Sequence, residues 1–158
     1  MPTAYKQGDA RWALKIVGFG TKAQNFANVG CTVCDITYLF NVVTNQNVTP
    51  DVINDRLKAA GAFVGAAVLW TKVASALPAL KFVYRDYNYN NPLVWAWINV
   101  WPRLPVLVEV YKKESVTKRH WVLYLGSQKM YDPIRGQIIS TSSAGYTPAT
   151  GSARFSRG

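Results

Sequence analysis

The order of segments in this 158-residue chain predicts an α+β domain, with N-terminal helices packed on a C-terminal antiparallel sheet. Three observations carry that expectation. The first half reads with helical periodicity, most densely from Cys31 to Val43. The second half reads as short alternating strands at 105–111, 120–125 and 129–132, separated by polar turns. A mass of 17.6 kDa fits one domain over 1–158, long enough to bury a core without metal or disulfide staples.

Residues 1–30 read as an N-terminal arm and loop. Gln7, Asp9 and Trp12 mark the arm, 13–18 is a short helical or extended piece, and Gly18, Gly20 and the polar stretch 21–28 make a loop ending at Gly30. Beyond Cys31 the apolar positions Val33, Ile36, Tyr38, Leu39, Phe40, Val42 and Val43 fall on more than one side, the pattern of a buried central helix. Thr49-Pro50-Asp51 starts the next helix, with threonine as N-cap, proline at the first helical position and an acid in the first turn. Val52, Ile53, Leu57 and Ala60 form its stripe, and Gly61 ends it. A third helix is expected over 69–77, stopped near Pro78. Residues 81–87 are β-branched or aromatic in alternation and predict a strand. A loop follows at 88–92, then a short helix at 93–101 with Trp95, Trp97 and Trp101. Beyond the strand at 105–111, residues 112–118 are a polar turn, 126–128 the next turn, and Pro133 ends the third strand. From Ser140 onward Ser, Thr, Gly, Ala and Pro dominate, so 140–158 is expected to be a tail that is mobile or lies along the surface in extended form.

With 49% apolar and 16% charged residues the chain should fold, and no uninterrupted apolar run reaches the roughly 18 residues of a membrane span. Residues 1–7 lack an apolar signal region, so the expectation is synthesis in the cytoplasm without a secretory signal. Two cysteines three apart are too few for a disulfide scaffold. Eighteen Lys and Arg against eight Asp and Glu give a formal net charge of +10, which favours solubility and draws the chain to polyanions. The cations form no single run: Lys112, Lys113, Lys118 and Arg119 flank a hairpin, and Arg154 and Arg157 lie in the tail. With no nucleic-acid motif, the charge is read as steering toward a large anionic partner such as a bacterial wall polymer.

Gly30-Cys31 delivers a thiol to a helix N-terminus, where unpaired N–H groups and the helix dipole favour thiolate. The chain has one histidine, His120, and any thiolate–imidazolium pair must use it. His120 opens one strand and Asp132 closes the next, at equal distances from Gly126, which predicts cross-strand neighbours. Cys31 as nucleophile, His120 as base and later acid, and Asp132 as the group orienting the imidazole would make a cysteine hydrolase. Taken singly these are ordinary features: a surface histidine, an Asp-Pro turn, a small core cysteine. Cys31-Thr32-Val33-Cys34 is also a C-x-x-C at a helix start, which suits redox chemistry, although no strand precedes Gly30. Two cysteines and one histidine are too few ligands for zinc without carboxylates. Cys34 is read as a core residue, or a place where oxidation could lock Cys31 inactive.

Gln7-x-Asp9-x-x-Trp12, Gly30-Cys31 opening a helix, Thr49-Pro50, Pro105 opening a strand, His120-Trp121-Val122 and Tyr131-Asp132-Pro133-x-x-Gly136 together resemble the double-glycine leader peptidases, over roughly residues 5–136. These are papain-like cysteine peptidases, with stand-alone members among phage lysis proteins (endolysins) and bacterial wall enzymes. The resemblance implies a papain-like fold and no cofactor. It implies that Cys31 is the nucleophile, His120 the base and Asp132 its orienting partner. It also implies a glutamine amide in the oxyanion hole, for which the arm motif favours Gln7, with Gln24 or Asn25 in reserve. The implied substrate is a peptide bond, foremost in peptidoglycan cross-links, reached after release from the cell or from within a virion. A transamidase or peptide-processing enzyme would use the same residues, and a non-catalytic wall-binding module would need none of them.

Overall fold

The computed structural model describes residues 1–87, 104–112 and 119–158, with backbone alone over 147–150. The expected loop at 88–92, the tryptophan-bearing helix at 93–101 and most of the turn at 112–118 lie outside the described residues. The fold is mixed α+β: a few helices and an antiparallel sheet.

A one-turn helix α1 (Phe26–Val29) breaks at Gly30, and α2 (Cys31–Thr44) begins at the cysteine. Every residue of α2 from Val33 to Asn41 is buried, as a helix with apolar side chains all round requires. Its polar members are mostly satisfied internally: the Thr37 hydroxyl donates to the Val33 carbonyl, and the Asn41 amide bonds Val48 through both its nitrogen and its oxygen. Helix α3 (Pro50–Ala59) starts at Thr49-Pro50 as predicted. Gly61, at φ +65°, closes it: the Ala62 N–H reaches back to the Leu57 carbonyl and the Gly61 N–H to Lys58. A two-residue hairpin, β1 (Phe63–Val64) with β2 (Ala67–Val68), follows. The third expected helix is two short pieces, a 3-10 turn at Trp70–Lys72 and α4 (Val73–Ala76).

The strands are β3 (Leu80–Asp86), β4 (Val106–Tyr111), β5 (Arg119–Gly126), β6 (Lys129–Asp132), β7 (Gln137–Ser140) and β8 (Thr147–Arg157). Their order in the sheet is β3-β8-β4-β5-β6-β7, with all neighbours antiparallel. α2 packs across β5. The principal core joins α2 and α3 to Leu107, Leu123, Tyr131 and Phe155, while Val106, Val108, Val110, Val122 and Met130 form a second cluster with Ala144.

One expectation is corrected. The tail is extended but does not lie along the surface: β8 sits between β3 and β4, with Ala153 and Phe155 buried. Its small residues are what a crowded interior strand accepts. Gly151, at φ +107°, passes so close to the Asp86 carbonyl that a Cβ would collide with it. The arm contributes to the core. Trp12 is buried and donates from its indole to the Lys6 carbonyl, the Tyr131 hydroxyl donates to the Tyr5 carbonyl, and the Gln7 N–H donates to Pro133. Asn54 of α3 grips the following segment through the Gly18 N–H and the Ile16 carbonyl. The loop expected over 21–28 therefore contains α1 and is pinned on both sides.

Candidate active site

Cys31 is the first residue of α2, where the helix restarts after Gly30, and the residue is partly exposed. His120 lies near the start of β5 and Asp132 ends β6, both buried. Leu123 pairs with Tyr131, so the same register continued by one residue sets Asp132 opposite Val122. His120 is thus its diagonal neighbour rather than its direct partner. The hairpin turns at Ser127-Gln128, both at positive φ, and not about Gly126. A diagonal pair is still within reach on one face, and His120 Nε2 lies 2.8 Å from Asp132 Oδ1.

Asp132 is saturated with donors. Oδ1 also accepts from the Ile134 N–H at 3.0 Å, and Oδ2 accepts from Arg135 Nη1 at 2.7 Å and the Tyr146 hydroxyl at 2.6 Å. Burial alone would raise its pKa. The bonds from His120 and Tyr146, the imidazolium charge and the Ile134 N–H overcome that and hold it down at about 2. As a carboxylate it can only accept, so Nε2 carries the proton and the other ring nitrogen is left for the Cys31 side chain, which His120 also hydrogen-bonds. Burial opposes charging the imidazole, but Asp132 and Cys31 together push its pKa up to about 9. Burial likewise opposes the Cys31 thiolate. Its bond to His120, the imidazolium charge, the Trp121 backbone N–H and the Thr32 side chain prevail, and the pKa falls below the ordinary thiol value. All three shifts favour thiolate beside imidazolium.

The oxyanion candidates differ in which amide atom is engaged, the oxygen at Gln24 and Asn25 and the nitrogen at Gln7. Gln24 Oε1 accepts from the Thr21 N–H, and Asn25 Oδ1 caps α1 through the Asn28 N–H. Gln7 is buried, and Nε2 donates at 3.0 Å to the carbonyl of Ala27, four residues before Cys31. With its backbone N–H on the Pro133 carbonyl, Gln7 links α1, just ahead of Cys31, to the residue after Asp132.

Tyr146 and Arg135 are absent from the sequence-based set. Arg135 and Ile134 occupy the two unspecified positions of Tyr131-Asp132-Pro133-x-x-Gly136, where i+2 and i+3 spacing from an aspartate is the available signal. Tyr146 falls in the stretch read as tail. Among the described residues no group of His, Cys, Asp and Glu is arranged to hold a metal, and no helix is long and apolar enough to cross a membrane. A cleft of about 860 Å³, lined by Tyr38, Asn41, Asn45, Ser127 and Lys129 among others, lies toward the opposite end of α2 and includes none of the three residues. Neither a protein-family model, nor a curated protein, nor a solved structure matches the chain.

Proposed function

We propose that the chain is a papain-like cysteine peptidase, acting on peptide bonds and foremost on the cross-linking peptides of peptidoglycan. The observation that carries this reading is Cys31, at a helix N-terminus and within electrostatic reach of an imidazole that a buried aspartate holds at 2.8 Å. Cys31 thiolate attacks the carbonyl, His120 protonates the leaving amine and then draws a proton from water against the thioester, and Asp132 keeps the ring oriented throughout. Gln7 supports the oxyanion role in a particular way. The Ala27 carbonyl it occupies is the one a continuous helix would pair with the Cys31 N–H, and its amide retains a second hydrogen to donate. The net charge of +10 suits an anionic wall, reached after release from the cell or from within a virion.

The test is clearing of purified peptidoglycan by wild type, Cys31→Ala, His120→Ala and Cys34→Ala, with mass spectrometry of the released fragments. Clearing by wild type and Cys34→Ala, lost in the other two, is the expected result, and the fragments identify the bond. Wild type that leaves wall intact but cleaves peptides refutes the wall substrate. Clearing that survives Cys31→Ala refutes the mechanism.

A further inference from the structure

Helix α2 carries a second thiol and a buried acid that hydrolysis leaves unused. Cys34 is only 1% exposed and lies three residues after Cys31, and i and i+3 are neighbours on a helix. The two thiols are close enough for the charge of Cys31 to bear on Cys34. Cys31 is partly exposed and favours thiolate, the combination that makes a cysteine oxidisable. Asp35, next in the chain and one turn beyond Cys31, is 0% exposed, and neither carboxylate oxygen has a hydrogen-bond partner among the described residues. Burying an unpartnered carboxyl is costly, and among the described residues it holds no other group in place. Burial, Cys31 and Asp132 all favour its neutral form.

We propose that Cys31 and Cys34 form a reversible disulfide in the first turn of α2, an oxidation site that withdraws the nucleophile, with Asp35 as its proton relay. A peroxide is the oxidant. Cys31 sulfur attacks the O–O bond, gives up two electrons and becomes a sulfenic acid, while the displaced hydroxide takes a proton and leaves as water. Cys34 sulfur then attacks Cys31 sulfur, and the S–S bond forms as the S–O bond breaks. Asp35 gives its proton to the departing hydroxide and recovers one from the Cys34 thiol, ending unchanged. One hydrogen peroxide and two thiols yield one disulfide and two waters. Neighbouring i and i+3 Cβ atoms must close by about 1–2 Å for this bond. The first turn is where a helix yields most readily, and its N-cap Gly30 makes no side-chain bond. Cys34 gives up its hydrogen bond with Tyr131 in the process.

Thiol state is read directly, so the test does not depend on peptidase activity. Wild type is treated with a small excess of hydrogen peroxide, alkylated and mapped by peptide mass. The expected peptide has lost two hydrogens, resists alkylation at both cysteines and regains both thiols in dithiothreitol. Cys34→Ser is expected to stop at a sulfenic acid trapped by dimedone, then to gain a second oxygen irreversibly. Asp35→Asn is expected to form the sulfenic acid at the wild-type rate, which certifies its fold, and the disulfide about a hundredfold more slowly. Wild type that gathers oxygens on Cys31 as fast as Cys34→Ser, or that links only between chains, overturns the disulfide. Equal disulfide rates in Asp35→Asn and wild type overturn the relay.

Discussion

Asp132→Asn separates charge from orientation at the site. The asparagine oxygen still accepts from His120 Nε2, so the ring stays aligned, but the negative charge is gone. The charge is worth a great deal because both partners are out of water, His120 at 2% and Asp132 at 0% exposure. Asp132 is lowered from 3.8 to about 2, and His120 is raised from 6.5 to about 9 with Cys31 contributing to the rise. The smaller net shift sets the scale of the charge effect, just under two pH units or about 2 kcal/mol. His120 in the variant should therefore titrate near pH 7, about two units lower than in wild type. Because the chain has a single histidine, its imidazole resonances in an NMR pH titration need no assignment. The same charge sets a stability window. A histidine raised above its unfolded value stabilises the fold fully below 6.5 and loses that contribution as pH rises through about 9. An aspartate held down contributes above 3.8 and loses it as pH falls through about 2. Urea denaturation at pH 5 should find the variant about 2 kcal/mol weaker, with a smaller gap at pH 10. An unchanged imidazole midpoint in Asp132→Asn, or a wild-type midpoint at or below 6.5, would refute the reasoning.

Tyr146→Phe removes one charge-assisted donor from Asp132 and should cost about 2 kcal/mol in denaturant unfolding at neutral pH, with the His120 midpoint rising as the carboxylate loses a competing partner. Asp35→Asn should change the pH slope of stability. A carboxyl raised above 3.8 favours the folded state only at low pH, so wild type should lose ground to the variant by about 1 kcal/mol per pH unit above that value, measured by thermal melts from pH 4 to 7. Gly151→Ala puts a Cβ into the Asp86 carbonyl at a left-handed position of a central strand, and should cost about 3 kcal/mol or more, read as a large drop in Tm.

What was legible in the sequence is what local chemistry dictates. Gly30-Cys31 before an apolar run, Thr49-Pro50 and the Gly61 stop each fix a helix boundary by backbone requirements that few other residues meet. His120 and Asp132 were legible as a pair because a short hairpin brings strand ends together whatever its register, although the register itself depends on which turn residues adopt positive φ. The left-handed conformation of Ser127 and Gln128 carries no glycine signal of its own. The tail was misread for the converse reason. Ser, Gly and Ala are shared by mobile segments and by strands squeezed between two others, and only the partners β3 and β4 distinguish the cases. Tyr146 was lost with it, and Asp35 looked like one more polar residue on a helix whose burial on every side is a tertiary fact.

The position of β8 also bears on the order of events in folding. A nascent chain presents α2, His120 and Asp132 well before Thr147, and the hairpins β4-β5, β5-β6 and β6-β7 pair strands close in sequence. β3 and β4 cannot close on each other, since the slot between them belongs to a strand translated later. Assembly is therefore expected to end with the long-range pairing of β8, the slow kind of step in high-contact-order folds, with the β3 and β4 edges open to other chains until then. Refolding should show early hairpin protection in hydrogen exchange and late protection of β3, and the late phase is the moment of greatest risk of aggregation.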